Sequence, residues 1–427
     1  MDKNELKRLV CEEIDKNAEK IKAVGEKILR NPEMGYKETK TADLVYSTLS
    51  ELSIPAETQI ALTGIKGRLK GKNSNATVAI MGELDAVTCP TNPDADTVTG
   101  ASHACGHNVQ IASMLGAAIG LSKISDMLDG DVCFMAVPAE EFVEIAYRER
   151  LVSDGKIDLL GGKQEFIKLG AFDDVDMAIM THAQGSTPEA AAFIGGGSLG
   201  FTAKTIEFVG KAAHAGGAPH EGINALNAAM AALMCIHAQR ETFKDEDKIR
   251  VHPIITNGGE LVNIVPSSVT METYVRGANF EGIKDAELKV DRAIEGAAYA
   301  IGAKANIKNY KGYLPLFQDE NMGEMFAENA KQFIPEDKIY YGIDMVGSSD
   351  VGDLSHLMPV IQPTMGGYYG SAHSKEFKVS DPDIAYVLPA KIMAMTVIDL
   401  LCDGAAGAKK VLDNFKPKLT KQEYLNF

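Results

Sequence analysis

Cys105-Gly106-His107 sets a thiolate and an imidazole two residues apart, and both are good ligands for zinc or a similar transition metal. Glu140-Glu141 follows an apolar run and Pro138-Ala139. Adjacent carboxylates repel each other, and a bound cation relieves that repulsion. His182 follows a second apolar run. His373 lies in Gly370-Ser371-Ala372-His373-Ser374, and Asp85 closes Gly82-Glu83-Leu84-Asp85. Each feature alone has an ordinary explanation: a satisfied histidine, a solvated acidic turn, a buried cysteine. Five such segments, four placed just after predicted strands and one opening a helix, point together to a metal site. A cysteine hydrolase with Cys105 as nucleophile and a histidine base uses some of the same residues. That reading gives the glutamate pair and His373 no task.

The elements that must position these residues are readable in outline. Leu6, Val10, Ile14, Ile21, Val24 and Ile28 follow a helical period, so Glu5 to Leu29 reads as one amphipathic helix ended by Asn31-Pro32. A second helix is expected from Thr41 to Leu52 and a third from His107 to Ile124. Ala76 to Met81, Val132 to Val137, Val175 to Met180 and Val360 to Met365 read as strands, the apolar ones covered on both faces. This alternation predicts an α/β domain with a largely parallel core, whose site forms at the carboxyl ends of the strands.

The middle of the chain reads differently. Strand Thr202 to Val209, helix Asn224 to Gln239, strands Ile249 to Ile255 and Val269 to Val275, helix Ala286 to Ile301 and strand Lys304 to Tyr310 follow one another. That β-α-β-β-α-β order is ferredoxin-like. The expectation is a catalytic domain of residues 1–198 and 311–427 interrupted by an inserted domain, 199–310, with glycine-rich joints near Gly195 and Gly312.

Bulk properties bound the function. The 427 residues allow roughly two or three domains. A net charge of −16 disfavours nucleic acid as a partner. The first ten residues, MDKNELKRLV, have no secretory apolar core, and no stretch is expected to approach the ~20 apolar residues of a membrane span, so a cytoplasmic protein without a membrane partner is expected. Six scattered cysteines in such a chain argue against disulfides. Cys11, Cys133, Cys235 and Cys402 read as buried small hydrophobes, and Cys89 as a loop residue open to solvent.

GELDA, HACGHN, the paired glutamates, the histidine of THA and GSAHS occur in an order that resembles the M20 family of metallopeptidases and amidohydrolases. GKAAHAGGAPHEGINAL, LVNIVPSSV and YVRG extend the likeness through the middle of the chain. The branch resembled holds aminoacylase-like, indole-acetyl-amino-acid and aminobenzoyl-glutamate hydrolases. The resemblance implies a phosphorylase/hydrolase-like mixed α/β catalytic domain with an inserted ferredoxin-like α+β lid that also dimerises. It implies that Cys105, His107, Glu141, His182 and His373 ligate metal, that Glu140 is the catalytic base and that Asp85 orients a site residue. It further implies that His214 reaches a partner subunit's site and that Asn263 and Arg276 contact a substrate carboxylate. Glu83 and Asn108 stand where the branch often has Asp, and Val143 to Lys163 is longer than the usual loop.

The function so implied is hydrolysis of an amide or peptide bond in an N-acyl amino acid, an aminobenzoyl-glutamate-like compound or a dipeptide. Two divalent ions per subunit, zinc or manganese before cobalt or nickel, would share the water that Glu140 activates. The expected assembly is a homodimer through the lid. The alternative is a catalytically silent ligand-binding or regulatory protein on the same fold, against which the intact Glu140 speaks.

Overall fold

The structure, a computed structural model, describes residues 1–345 and 347–426. It divides into two compact units. The first comprises Met1–Gly197, Phe317–Met345 and Asp353–Phe427; the second comprises Ser198–Leu316 and Val346–Gly352. The second unit is therefore wider than 199–310. Gly312 is packed inside it: a Cβ there would lie 2.1 Å from the Phe201 carbonyl oxygen, so close packing requires that glycine.

In the first unit a six-stranded sheet runs Ala56–Ile60, Gly64–Leu69, Asp131–Val137, Thr77–Glu83, Met177–Ile179, Val360–Ile361. The last four strands are parallel, and the first two form an antiparallel margin. Thr77–Glu83 and Asp131–Val137 are buried along their whole length, which explains their unbroken apolar runs. The helix His107–Ser122 is buried from His107 to Leu121, so its sequence carries little amphipathic contrast. Glu83 pairs with Val137, which brings the carboxyl ends of the two central strands side by side.

Three predicted elements are divided, one of them the strand expected over Ile249 to Ile255, which becomes Arg250–Val251 and Ile254–Asn257 on either side of His252-Pro253. The N-terminal helix is two, Lys3–Lys16 and Ala18–Leu29, because Asn17 leaves helical geometry and its side-chain amide donates to the Glu13 carbonyl at 2.9 Å. The two apolar stripes stay in phase across the break, which hides it from periodicity. The strand expected over Val360 to Met365 is split at Gln362-Pro363, since Pro363 has no N–H for a ladder. Val360–Ile361 stays in the main sheet. Thr364–Met365 enters a second sheet, parallel to His182–Ala183. His182 thus sits where the chain leaves one sheet for another, its N–H bonded to the Pro363 carbonyl at 2.9 Å.

One segment does meet the length and hydropathy of a membrane span, against expectation: Asp383–Leu401, of which 83% is buried inside the fold. The cysteines also differ from expectation. Cys89 is buried, with Sγ 3.7 Å from the His373 carbonyl oxygen, whereas Cys235 is exposed and Cys11 only half-buried.

The second unit pairs Lys304–Tyr310, Gly200–Val209, Ser268–Gly277 and Ile254–Asn257 in that order, all antiparallel, with Arg250–Val251 also on Ser268–Gly277. Numbered along the chain the four main strands stand 4-1-3-2, the ferredoxin-like arrangement. The helix Ala225–Ala238, capped by the Asn224 side chain, buries Ala225, Ala228, Ala229, Ala232 and Ile236, and the helix Phe280–Ile301 packs beside it. Small alanines allow that close approach, and the Met side chains lie elsewhere: Met230 and Met234 are exposed.

Candidate metal centre

Seven of the ten residues singled out in the sequence belong to the first unit, and the structure brings them together. Asp85 lies just beyond strand Thr77–Glu83, Glu140 and Glu141 beyond Asp131–Val137, and His182 beyond Met177–Ile179. Cys105 precedes the helix that His107 opens; Gly106 between them takes φ +86°, a left-handed turn suited to glycine. His373 follows the short strand Tyr368–Tyr369 and itself has φ +60°; its N–H is tied to the Ala104 carbonyl at 2.8 Å. Ala139, just before the glutamates, is also left-handed at φ +54°. Two non-glycine residues in this sparsely populated region mark a site the surroundings over-determine.

The donor atoms form two triads that share Cys105. In each of Cys105, His107, His182 and Cys105, Glu141, His373, all atoms lie within 4.8 Å of one another. Cys105 Sγ is 3.5 Å from His182 Nε2, and His373 Nε2 is 3.0 Å from Glu141 Oε1. His107 Nε2 approaches Glu83 Oε2 at 3.0 Å and Glu140 Oε2 at 3.9 Å. Yet His107 Nε2 and Glu141 Oε1 are buried without an aligned hydrogen-bond partner. Buried polar atoms are seldom left so. A thiolate, three imidazoles and a carboxylate, converging with two such atoms, suit divalent ions.

Asp85 orders two members at once. Its Oδ2 accepts the Glu141 N–H at 2.9 Å, while its carbonyl oxygen lies 2.8 Å, and its Oδ1 3.3 Å, from His107 Nδ1. With Nδ1 so occupied, Nε2 is the His107 nitrogen turned to the cluster.

Electrostatics follow from burial and partners. Burial and Glu141 push the Cys105 thiol up, but His182 and His107 outweigh them and bring it down to about 6, so thiolate is accessible at neutral pH. Burial disfavours charge on His107, but Glu83 and Cys105 lift it well above the ordinary histidine range. Hydrogen bonding to Cys105 and Glu141 raises His373 to about 11. Protons thus gather on imidazoles facing anions, where a cation binding from solution would displace them.

Several participants escaped the sequence reading. Arg148, fully buried in the 143–163 extension, donates to the carbonyls of Leu160 at 2.8 Å and Ala139 at 3.3 Å, and to that of Glu141. Glu38, also fully buried, accepts the Ala139 N–H at 2.9 Å; burial, with Asp85 nearby, raises its carboxyl to about 7. Lys163 is buried against Glu83 at 2.6 Å. None carries a motif. The available signal was Gly161-Gly162-Lys163, a cation placed behind two glycines: a Cβ on Gly162 would lie 1.6 Å from the Pro138 carbonyl oxygen.

The other three residues belong to the second unit. His214 and Asn263 lie on paired segments: the Ala215 N–H donates to the Asn263 carbonyl at 2.9 Å, and His214 bridges to Ile264. Both side chains are exposed. His214 Nδ1 accepts the Gly216 and Gly217 N–H groups at 3.2 and 2.9 Å, which leaves its ring proton on Nε2. Arg276 is carried by strand Ser268–Gly277. It lies over the rings of Phe201 and Tyr274, with Nη1 donating to Ser348 at 2.7 Å. His356 is buried against Phe317, whereas His220 and His237 are exposed.

A mixed α/β unit with this donor set at its strand ends, accompanied by a ferredoxin-like unit, defines a two-domain metallohydrolase. The chain belongs to the M20 peptidase family. Residues 197–301 match the family's Peptidase dimerisation domain. The Xaa-Arg dipeptidase of Mus musculus is 30% identical over 448 residues, covering 99% of this chain and 94% of that protein. The N-acyl-L-amino acid amidohydrolase of Geobacillus stearothermophilus is 28% identical over 331 residues, 74% of this chain and 81% of that protein. The fold is also that of a Bacillus subtilis protein described as a dinuclear metal binding peptidase from the M20 family. That match has a TM-score of 0.67 at 21% identity and covers 91% of this chain and 99% of that one.

Proposed function

We propose that this enzyme hydrolyses the amide bond of a dipeptide or N-acyl amino acid whose amine-side product keeps a free carboxylate. The observation that carries the reading is the pair of donor triads sharing Cys105, with Glu140 beside them. Cys105, His107, Glu141, His182 and His373 would hold two divalent ions, zinc or manganese before cobalt or nickel. When bound, the ions supply Lewis acidity to the scissile carbonyl and ease removal of a proton from water.

The chain's own residues do the rest. Glu140 takes the proton of the attacking water and passes it to the leaving nitrogen as the C–N bond breaks. Asp85 keeps His107 and Glu141 in register through the contacts described above. His214, its proton on Nε2, donates to the developing oxyanion from a partner subunit. Arg276 and Asn263 receive the substrate carboxylate, for which a guanidinium offers a two-pronged fork. The family's dimerisation domain and the exposed Met230 and Met234 support a homodimer through the second unit.

The test is a panel of N-acyl amino acids and dipeptides, Xaa-Arg among them, each with its carboxylate free and amidated. Turnover of the free forms is expected, lost on exhaustive chelation and restored by divalent metal. Amidation should cost roughly 2–5 kcal/mol in kcat/KM, because it leaves a guanidinium unpaired. Arg276→Ala should erase most of that difference. Full activity after demetallation, or preference for amidated substrates, would overturn the reading; metal uptake with no turnover would favour the silent binding protein.

A further inference from the structure

The strand Thr77–Glu83 ends on a carboxylate that the reaction outlined above does not use. Glu83 is fully buried at the carboxyl end of the sheet. Its Oε1 lies 2.6 Å from Lys163 Nζ. Its Oε2 accepts from Gln110 Nε2 at 2.9 Å and lies 3.0 Å from His107 Nε2. The Glu83 N–H also donates to Gln110 Oε1 at 3.1 Å, so backbone and side chain are fixed together.

We propose that Glu83 is a further ligand to the ion at His107, and that Lys163, delivered by the 143–163 extension, is the residue that positions it. The inference rests on the metal reading above and adds a donor to it. His107 Nδ1 is taken by Asp85, so only Nε2 faces Glu83. Those two atoms are 3.0 Å apart, yet Nε2 has no aligned hydrogen bond. Two donors close together but not pointed at each other are arranged about a common third point. A Glu140 carboxylate oxygen falls within the same 4.8 Å compass as the Glu83 and His107 donors, which sets the base beside the ion that those two would hold.

A simple buried ion pair would explain Lys163 and Oε1. It does not explain why Oε2, already accepting from Gln110, also stands 3.0 Å from an imidazole nitrogen that makes no aligned hydrogen bond to it. Burying Glu83 near Glu140 needs a compensating cation, and a second cation beyond the metal comes from the chain itself. The fold goes to some length to place it. Lys163 is the second residue of helix Gly162–Leu169, and only the missing Cβ of Gly162 lets that helix start against the Pro138 carbonyl.

The experiment loads demetallated protein with Co(II). It reads stoichiometry, affinity against a competing chelator, and the visible d–d absorption, whose intensity and position report coordination. Wild-type protein is expected to take two ions. In Glu83→Gln one of them should bind at least 100-fold more weakly, with a changed spectrum. In Lys163→Met the loss should be about 10- to 100-fold, as for residues that orient ligands, with the spectrum kept at saturation. Should either single variant fail to fold, Glu83→Gln/Lys163→Met removes both buried charges together and is read instead, with the Glu83→Gln result expected. Wild-type affinity and spectrum in a folded Glu83→Gln or double variant would overturn the assignment while leaving the metal reading intact. Wild-type protein that binds no Co(II) would overturn the metal reading itself.

Discussion

Glu140 and Glu141 are adjacent in sequence but differ in surroundings. The Glu141 N–H is bound to Asp85, and its carboxylate faces His373 at 3.0 Å. Burial alone would raise its carboxyl, but His373 and His107 hold it below the usual range. The Glu140 carboxylate is 3.9 Å from His107, near the cluster without joining either Cys105 triad. The proposed division of labour follows. Glu140→Gln should keep metal content, measured by atomic emission, and lose on the order of 10² to 10⁴ in kcat. Glu141→Gln should lower metal occupancy first. Equal metal loss in the two variants would refute the division. The motif-bearing residues were legible in sequence because each sits at an element boundary, where a titratable side chain has no packing role. Glu83 stood out only as a departure from Asp, and the roles of Lys163 and Arg148 not at all, because a buried charge is indistinguishable in sequence from a solvated one until its partner is known.

Among elements, the Pro138-to-Glu141 turn shows how a short segment is held from several sides. Glu38 receives the Ala139 N–H from one side. On another, Arg148, from helix Ile145–Ser153, takes the carbonyls of Ala139, Leu160 and Glu141. The sequence signalled that residues 143 to 163 are unusual only by their length. Their role in fixing the turn depends on contacts twelve residues apart or less that no periodic pattern records. Arg148→Met should leave buried carbonyls unpaired and cost about 3–5 kcal/mol in unfolding free energy, read by denaturant titration. Arg148→Lys, which keeps the charge but not the fork, should fall between. A loss within about 0.5 kcal/mol for Arg148→Met, the scale of a neutral surface change, would mean the guanidinium does not hold the turn. Other elements diverged for equally local reasons. Asn17 and Pro363 each break an element whose apolar pattern runs on across the break, so the pattern overrode the breaker in the reading.

For the whole molecule, the ferredoxin-like order of the second unit was legible because its strands alternate and its helices are long. Ser268–Gly277 alternates buried and half-buried positions almost without fault. Periodicity does not reveal what the outer surface is for. Helix Ala225–Ala238 turns its alanines inward and exposes Met230 and Met234, at 55% and 73%. The neighbouring edge strand Ile254–Asn257 is exposed along its length, with Ile254 at 60%. Apolar side chains beside an open strand edge suit an isologous pairing of two copies. The proposed action of His214 in a partner's site depends on that pairing; His214 lies on the second unit, and the proposed metal ligands lie on the first. Complementation decides whether it serves its own chain or the partner. His214→Ala and Glu140→Gln chains, each inactive alone, are mixed under conditions that exchange subunits, with exchange followed by differently tagged chains. If His214 acts on the partner, each mixed dimer contains one site with both residues intact, and activity should return. If it acts within its own chain, every site lacks one of the two, and the mixture should stay as inactive as its parents.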